Sequence, residues 1–492
     1  MPTPSPGISR RAALTAGAML MSAAAAGRLR AAPPSRPKRV IVVGGGIGGL
    51  SCAYELMKRG HEVVLFEASN RTGGHIKTMR DPLPAGHWSD LGAELFTKPG
   101  YSVYWKYVKE FGLTALHWPR RQDMYIRFGD RWYTEDHELR DASILRGMGF
   151  NAREIAYMVE HGWSELPRLY LAPYAAKITD EYQPFGVGLD HLDRITYGDL
   201  MAKDGASGAA LRQFGGPRST ADGPPEGGAV SAQGRIWTDA IQRHRGMAIV
   251  SRNVYHLKGG NQLMVDAFAA RLGDRIRRDC PVSAIEYGEQ AAQVEYTSRG
   301  KTERLQADHL VLAISPPLLG GITIKTPWPA AKALALGNIR MDTYSRVVMV
   351  AKTPFWEGDD IPSINLLTRD SRLPFVCETS EDLPGNPRIL MGETRPTQTP
   401  EATEAAFALL YPGKRRPEIL QTYVYQWWKE HPTCAGCQRA PFQLGQLTQM
   451  WPHLIAPVGR VHFVGSAYDN WVGGQDAATR SANRVAGMID SA

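Results

Sequence analysis

No part of the chain limits its fold as tightly as the run KRVIVVGGGIGGLSCAYELMKRGHEVVLFEA, which begins at Lys38. Lys38 to Val43 is a short β-branched run, Ile47 to Lys58 carries apolar residues at helical spacing, and Val63 to Phe66 is a second apolar run ending at Glu67. The order is therefore strand, glycine turn, helix, strand. The turn satisfies G-x-G-x-x-G through Gly44, Gly46 and Gly49. The first glycine permits the tight turn, the second lets a pyrophosphate approach the backbone, and the third lets the helix pack close to the sheet. The helix start at Ile47 and Gly48 offers unpaired N–H groups and a positive field to a diphosphate. Glu67, followed by Ala68, closes the second strand where ribose hydroxyls need an acceptor. The glycine pattern alone is weak in a chain with 50 glycines, but both strands, the helix and the acid together point to a bound dinucleotide.

Further along, Arg71-Thr72-Gly73-Gly74-His75 and Asp90-Leu91-Gly92-Ala93-Glu94 form loops close enough to the phosphate turn to touch the far end of a dinucleotide. Residues 96–249 read as mostly helical, and the Gly/Pro/Ser-dense residues 215–234 as a long flexible surface loop, either a lid or a plain insertion. Gly259-Gly260 opens a helix to about Arg271, residues 279–296 alternate as paired strands, and Ala307 to Ile314 is a buried strand stopped by Ser315-Pro316-Pro317. Arg346 to Ala351 reads as a strand, and mixed, partly helical character runs on to Pro457. The chain closes with a strand at Val461 to Val464, a glycine turn, and a helix from about Gly474. A chain of 492 residues exceeds the roughly 250–300 that one core serves. The expectation is an α/β fold: a discontinuous Rossmann-like nucleotide domain from residues 38–95, 250–320 and 455–492, and a mixed α+β substrate domain from 96–249 and 321–454.

The formal charge of +8 invites a polyanion partner, but half of it comes from Arg10, Arg11, Arg28 and Arg30 in residues 1–32, which hold no acid, leaving +4. No basic stripe interleaves with aromatic residues, so nucleic acid is not an expected partner. Ser9-Arg10-Arg11 followed by ALTAGAMLMSAAAA has the form of a twin-arginine export signal, which implies a bacterial protein exported folded to the periplasm or secreted. That run is short and alanine-rich for a membrane span, so stable membrane insertion is not expected. The five cysteines are no disulfide scaffold; Cys434 and Cys437 have redox-motif spacing without the flanking strand and helix, and read as a loop pair. No metal-ligand spacing stands out.

Val40 to Glu67, the Arg71 to His75 loop, the helix opened by Gly259-Gly260, the strand ending in Ser315-Pro316-Pro317, and Gly465 to Ala486 occur in an order that resembles the flavin monoamine oxidase family. That family includes monoamine, polyamine and L-amino-acid oxidases. The resemblance implies FAD, with Gly44, Gly46, Gly49 and Glu67 on the ADP half, Arg71 and Gly74 near the pyrophosphate, and Val282 beside the adenine. It implies that Gly92, Ala93, Glu94, Gly465, Ser466, Asp476 and Ala477 lie toward the ribityl and flavin end. Trp471 occupies the place of one wall of an aromatic cage. Trp427 and Trp428 lie where the family carries a tryptophan near the site; only one of them can face it, and Trp428 is the candidate.

Departures from the family pattern matter. Where the family often has a lysine, this chain has Arg346, which stays protonated and suits a water or a substrate carboxylate better than the role of base. The arginine often found after the glycine turn is His75. Similar amino-acid oxidases carry a carboxylate-clamping arginine in the Gly92-Ala93 loop, whereas here Glu94 follows, which favours an amine over an α-amino acid. Covalent-flavin members carry a cysteine before the last segment, and Gly465-Ser466-Ala467-Tyr468 has none, so FAD is expected to be non-covalent. The reaction implied is hydride loss from the carbon beside an amine nitrogen, imine hydrolysis, and dioxygen reduction to hydrogen peroxide. The expected partners are a small amine and dioxygen; a homodimer is left open. The alternatives are an L-amino-acid oxidase and a flavin-binding protein without turnover.

Overall fold

The computed structural model describes residues 36–219, 229–359, 361, 363–431, 433, 434, 436, 438–471 and 473–492. The expected export signal, residues 220–228 of the expected loop, and Cys437 lie outside them. Arg39–Val43, Ile47–Lys58 and Glu62–Phe66 form the strand, helix and strand read from the sequence. These two strands sit in a five-stranded parallel sheet whose order is Ile276–Arg277, Glu62–Phe66, Arg39–Val43, His309–Leu312, Val461–Phe463. Its members come from both ends and the middle of the chain, so the nucleotide-binding sheet is discontinuous.

Alternation along these strands divides the core. Val40, Val42, Val63, Leu65 and Val311 pack with Leu50 and Leu56 of the first helix, Phe268 of Gln262–Leu272, and Val485 and Ile489 of Gly474–Ser491. Ile41, Val43, Phe66, Leu310 and Leu312 point the other way, toward Val294 and Tyr296 of an antiparallel sheet. Both faces are covered, as a parallel sheet requires.

A seven-stranded sheet carries the other wall of the site. Its order is Ile419–Gln426, Ser345–Ala351, Arg388–Thr394, Phe375–Glu378, Leu366–Leu367, Tyr125–Phe128, Arg131–Thr134. Ser345–Ala351 is buried throughout. Val347, Met349 and Ala351 join Phe355, Phe407 and Tyr411 on one face, while Val348 and Val350 join Leu91 and Trp427 on the other. Period two places Arg346 on the second face.

Two sequence expectations need correction. Residues 96–249 are not mostly helical: Tyr125–Phe128 and Arg131–Thr134 form a hairpin joined by Gly129 and Asp130, with Gly129 at φ +60°. The aromatic and β-branched content of YIRFGDRWYT around a two-residue glycine turn is a hairpin signal. The loop expected at 215–234 also ends early, because the Ser231 hydroxyl accepts from the Gly234 N–H and caps the helix Ala232–His244. Among the described residues, no helix is long and apolar enough to cross a membrane.

Candidate active site

A cavity of about 1210 Å³ runs from the glycine turn to the face of the seven-stranded sheet. At its nucleotide end, the helix Ile47–Lys58 starts at Gly46 with no side-chain cap and no acid in its first turn. Gly46, Ile47 and Gly48 line the cavity, so their backbone can face an anion without competition. Gly44 has φ +108°, and a Cβ on Gly49 would stand 1.9 Å from the Gly44 carbonyl oxygen, so the turn closes against the helix only with glycine there. Gly49 itself is off the cavity wall; its role is that packing contact.

Glu67 lines the same end. One carboxylate oxygen accepts from the Gly45 N–H at 2.7 Å, and the other accepts from the Ser69 N–H at 2.8 Å and the Ser69 hydroxyl at 2.7 Å. Ala68, Arg71, Gly74 and Val282 also lie on the wall, as the sequence led us to expect. Arg71 donates to the Gly74 carbonyl and, at 3.2 Å, to that of Ile76, which holds the second glycine loop in place.

The middle of the cavity is built by backbone packing between loops. A Cβ on Gly92 would lie 1.7 Å from the His75 carbonyl oxygen, to which the Ala93 N–H donates at 3.1 Å. The His75 ring stacks on Trp427 with centroids 4.2 Å apart and contacts the Cys434 carbonyl at 3.3 Å. Burial pushes its pKa down to about 4, so His75 is neutral. From the C-terminal segment, Gly465, Ser466, Gly474, Gln475 and Ala478 reach the wall.

At the far end, Glu94 is held between two guanidinium groups, those of Arg120 and Arg346. Arg346 also donates to the carbonyls of Leu91 at 3.4 Å and Gly92 at 2.9 Å, to the Tyr344 hydroxyl at 3.3 Å, and pairs with Glu393 at 3.5 Å. Burial favours the neutral form of Glu94, but Arg120 and Arg346 outweigh it and hold the carboxyl below its ordinary value. Glu393 goes the other way: burial raises it against the pull of Arg346. Arg121, Tyr101, Met124, Leu366, Phe375 and Cys377 complete this end.

Besides Gly49, five residues singled out in the sequence lie off the cavity wall. Trp428 is 50% exposed and donates to the Pro396 carbonyl at 3.3 Å, outside the cavity. Its neighbour Trp427 is the buried one, donating to the Leu91 carbonyl at 2.9 Å from behind the wall. Trp471 packs in the main core beneath the Arg245 guanidinium, 5.3 Å from the ring centre, and does not line the cavity. Asp476 and Ala477 turn away from it: Asp476 accepts from the N–H groups of Val103 and Tyr104 at 3.1 and 2.9 Å. Helical rotation presents Gly474, Gln475 and Ala478 instead. Sequence reasoning missed Arg120, Arg121 and Glu393, which carry no motif. Cys434, read as part of a plain loop, stands on the cavity wall.

The described residues fit FAD on the structure's own terms. An uncapped helix start faces the cavity at Gly46 and a second one at Gly473, a carboxylate stands one strand away, and the space is continuous between them. The chain has 24% identity over 93% of its length to an L-amino-acid oxidase of Demansia vestigiata, covering 88% of that protein. It has 25% identity over 70% of its length to an L-amino-acid oxidase of Mus musculus, covering 53% of that one. Its fold is similar to that of putrescine oxidase bound to putrescine, with TM-score 0.73 and 21% identity over 93% of this chain and all of the other. It also matches cyclohexylamine oxidase from Brevibacterium oxydans, with TM-score 0.74 and 20% identity over 93% and 99% of the two chains. The family model for flavin containing amine oxidoreductases matches residues 47–489, and the chain therefore belongs to that family, as an FAD-dependent oxidoreductase acting on amines.

Proposed function

We propose that the protein is an amine oxidase with non-covalent FAD, which removes hydride from the carbon beside an amine nitrogen. When bound, the flavin would accept that hydride and return the electrons to dioxygen as hydrogen peroxide, while the imine released is hydrolysed to a carbonyl product. The observation that carries this reading is the single cavity joining the phosphate-binding turn to the Glu94 cluster. Gly46 to Gly48 and Arg71 would hold the diphosphate, Glu67 the ribose, and Gly474 and Gln475 the flavin end.

The chain's part in the chemistry is to position and to shed a proton. Arg346 is fully engaged by two carbonyls, a hydroxyl and two carboxylates. It fixes the Gly92 to Glu94 loop against the sheet, which argues against its acting as a base. Tyr101, Met124, Leu366 and Phe375 make a poorly hydrated wall, and the guanidinium groups behind it disfavour a second cation, so an entering ammonium is biased toward its neutral, oxidisable form. Burial pushes the Cys434 thiol up to about 11, which keeps it protonated and a weak nucleophile at neutral pH and supports non-covalent FAD.

An anaerobic titration of the flavin spectrum with pooled amines tests the reaction: bleaching is expected, and a spectrum unmoved by any amine would overturn it. Acid precipitation should leave the flavin in the supernatant. We also propose export in the folded state. Replacing Arg10 and Arg11 with lysine should retain the protein in the cytoplasm, and unchanged export would defeat that reading.

A further inference from the structure

Asparagine is a favoured residue at the start of a helix because its short side chain can accept from the N–H groups of the first turn. Asn261 stands at that place before Gln262–Leu272, yet its side chain caps nothing. The Thr78 hydroxyl accepts from the Gln262 N–H instead, at 3.2 Å, and the Asp90 carboxylate accepts from the Asn261 N–H with both oxygens 3.1 Å away. Asp90 also accepts from the Thr78 hydroxyl at 2.6 Å. With the helix start served by these two residues, the Asn261 amide turns elsewhere. Its Oδ1 accepts from the Leu257 N–H at 3.1 Å, and its Nδ2 donates to the Ala93 carbonyl at 3.1 Å. An N–H on one side and a carbonyl on the other fix the orientation of the amide, which is wholly buried.

The bond to Ala93 reaches the loop that lies between the two ends of the cavity. Gly92, Ala93 and Glu94 line the cavity, and the backbone around them is held carbonyl by carbonyl. Leu91 accepts from Trp427 and Gly92 from Arg346, each at 2.9 Å, both from the side of the seven-stranded sheet. Leu95 accepts at 3.2 Å from Gln475, which is itself a residue of the cavity wall. Ala93 accepts from Asn261, which lies off the wall, at the start of the helix whose Phe268 packs with Leu50 and Leu56 of the glycine-turn helix. Asn261 thus joins the loop to the half of the molecule that carries the dinucleotide site. Hydride transfer needs the reacting atoms roughly 3–3.5 Å apart, and a misplacement of about 1 Å can cost about a hundredfold in rate.

We propose that Asn261 is a positioning residue for the reaction: through the Ala93 carbonyl it fixes the Gly92 to Glu94 loop, and so the substrate end of the cavity, relative to the bound flavin. This rests on the amine-oxidase reading above. Gln262, next in the chain, supplies the contrast. Its Oε1 accepts from the Thr78 N–H at 3.1 Å at the same helix start, and among the described residues its side chain makes no bond to the loop.

The test compares three variants, all loaded with FAD. Asn261→Leu keeps a branched side chain without the polar atoms. Asn261→Ala leaves room for a water between the Leu257 N–H and the Ala93 carbonyl, and serves if the leucine variant fails to fold. Gln262→Ala removes a bond at the helix start and spares the loop. The rate of anaerobic flavin reduction is read by stopped flow at saturating benzylamine, butylamine and 1,4-diaminobutane. In the Asn261 variants that rate should fall by about tenfold to a hundredfold, with flavin content kept and the visible circular dichroism of the bound flavin altered. Gln262→Ala should lower Tm and leave both the rate and the dichroism as they were. A rate in Asn261→Ala no lower than in Gln262→Ala, with the dichroism unmoved, would overturn the assignment of Asn261 and leave the oxidase intact. A wild type that no amine bleaches, but whose dichroism changes in Asn261→Ala and not in Gln262→Ala, would overturn the oxidase instead and keep Asn261 as the residue that sets the loop against the flavin.

Discussion

The two ends of the cavity are made by different means. The nucleotide end is backbone: a glycine turn, an uncapped helix start and one carboxylate, all within Gly44 to Glu67. The far end is side chain: Glu94, Arg120, Arg346 and Glu393 converge from four separate segments and satisfy one another's charge. A backbone site tolerates little change in volume and has little charge to lose. A buried ionic cluster has charge to lose and is sensitive to any change in its balance.

The largest effect should follow from Glu94→Ala. It leaves two buried guanidinium groups facing each other, and breaking such a pair costs about 3–5 kcal/mol. A large drop in Tm is expected in thermal unfolding, with Glu94→Gln in between because it keeps an acceptor. A small loss would mean that water reaches Arg120 and Arg346, and the contrast between the two ends would fail. Next comes Gly49→Ala, whose methyl must displace the Gly44 carbonyl. Overpacking of this kind costs about 1–3 kcal/mol, and here it should also lower the flavin-to-protein absorbance ratio. Normal flavin content would show that the helix can back away from the turn.

That contrast also explains what was legible in the sequence. The glycine turn is local: its residues lie within one strand–helix–strand unit, and each has a chemical reason to be the residue type it is. Bounds such as Ile47–Lys58 and the start of the helix at Gly474 followed from the same local pattern. The far cluster is not local. Arg120 and Arg121 are two ordinary arginines until the hairpin beginning at Tyr125 joins the sheet of Arg346, and no spacing rule connects position 94 with 346 or 393. The tryptophans failed for a related reason. Adjacent positions on a short helix such as Trp427–Glu430 differ by a rotation that one residue of register decides, so Trp427 went inward and Trp428 outward.

A smaller effect belongs to the nucleotide half and depends on pH. His309 and His462 sit on neighbouring strands of the parallel sheet, Nδ1 to Nε2 at 3.1 Å. Burial, aided for His309 by Arg460 and Lys38, lowers it to about 4; burial, aided by protonated His309, lowers His462 to about 3. The unfolded chain takes up these protons near the ordinary value of about 6.5. The pair's contribution is therefore present above that pH and is lost as pH falls toward about 4. Between pH 7 and 4.5, Tm should fall less steeply in the double variant His309→Gln, His462→Gln. Equal slopes would mean that the pair is wet and titrates normally.

The smallest expected effect is the sharpest test of the comparison, because two neighbouring tryptophans stand on opposite sides of it. Trp428 is half exposed and makes one 3.3 Å hydrogen bond to a loop carbonyl. Trp427 is buried, backs the His75 ring, and ties Leu91, hence the Gly92 to Glu94 loop, to the sheet. Trp428→Ala should change stability by no more than about 0.5 kcal/mol, as surface substitutions do, and leave the flavin spectrum and kcat/KM as they were. A loss of kcat/KM without a loss of stability would place Trp428 over the cavity mouth in the working enzyme, and would mean that the far end is closed by a surface residue as well as by its buried charges.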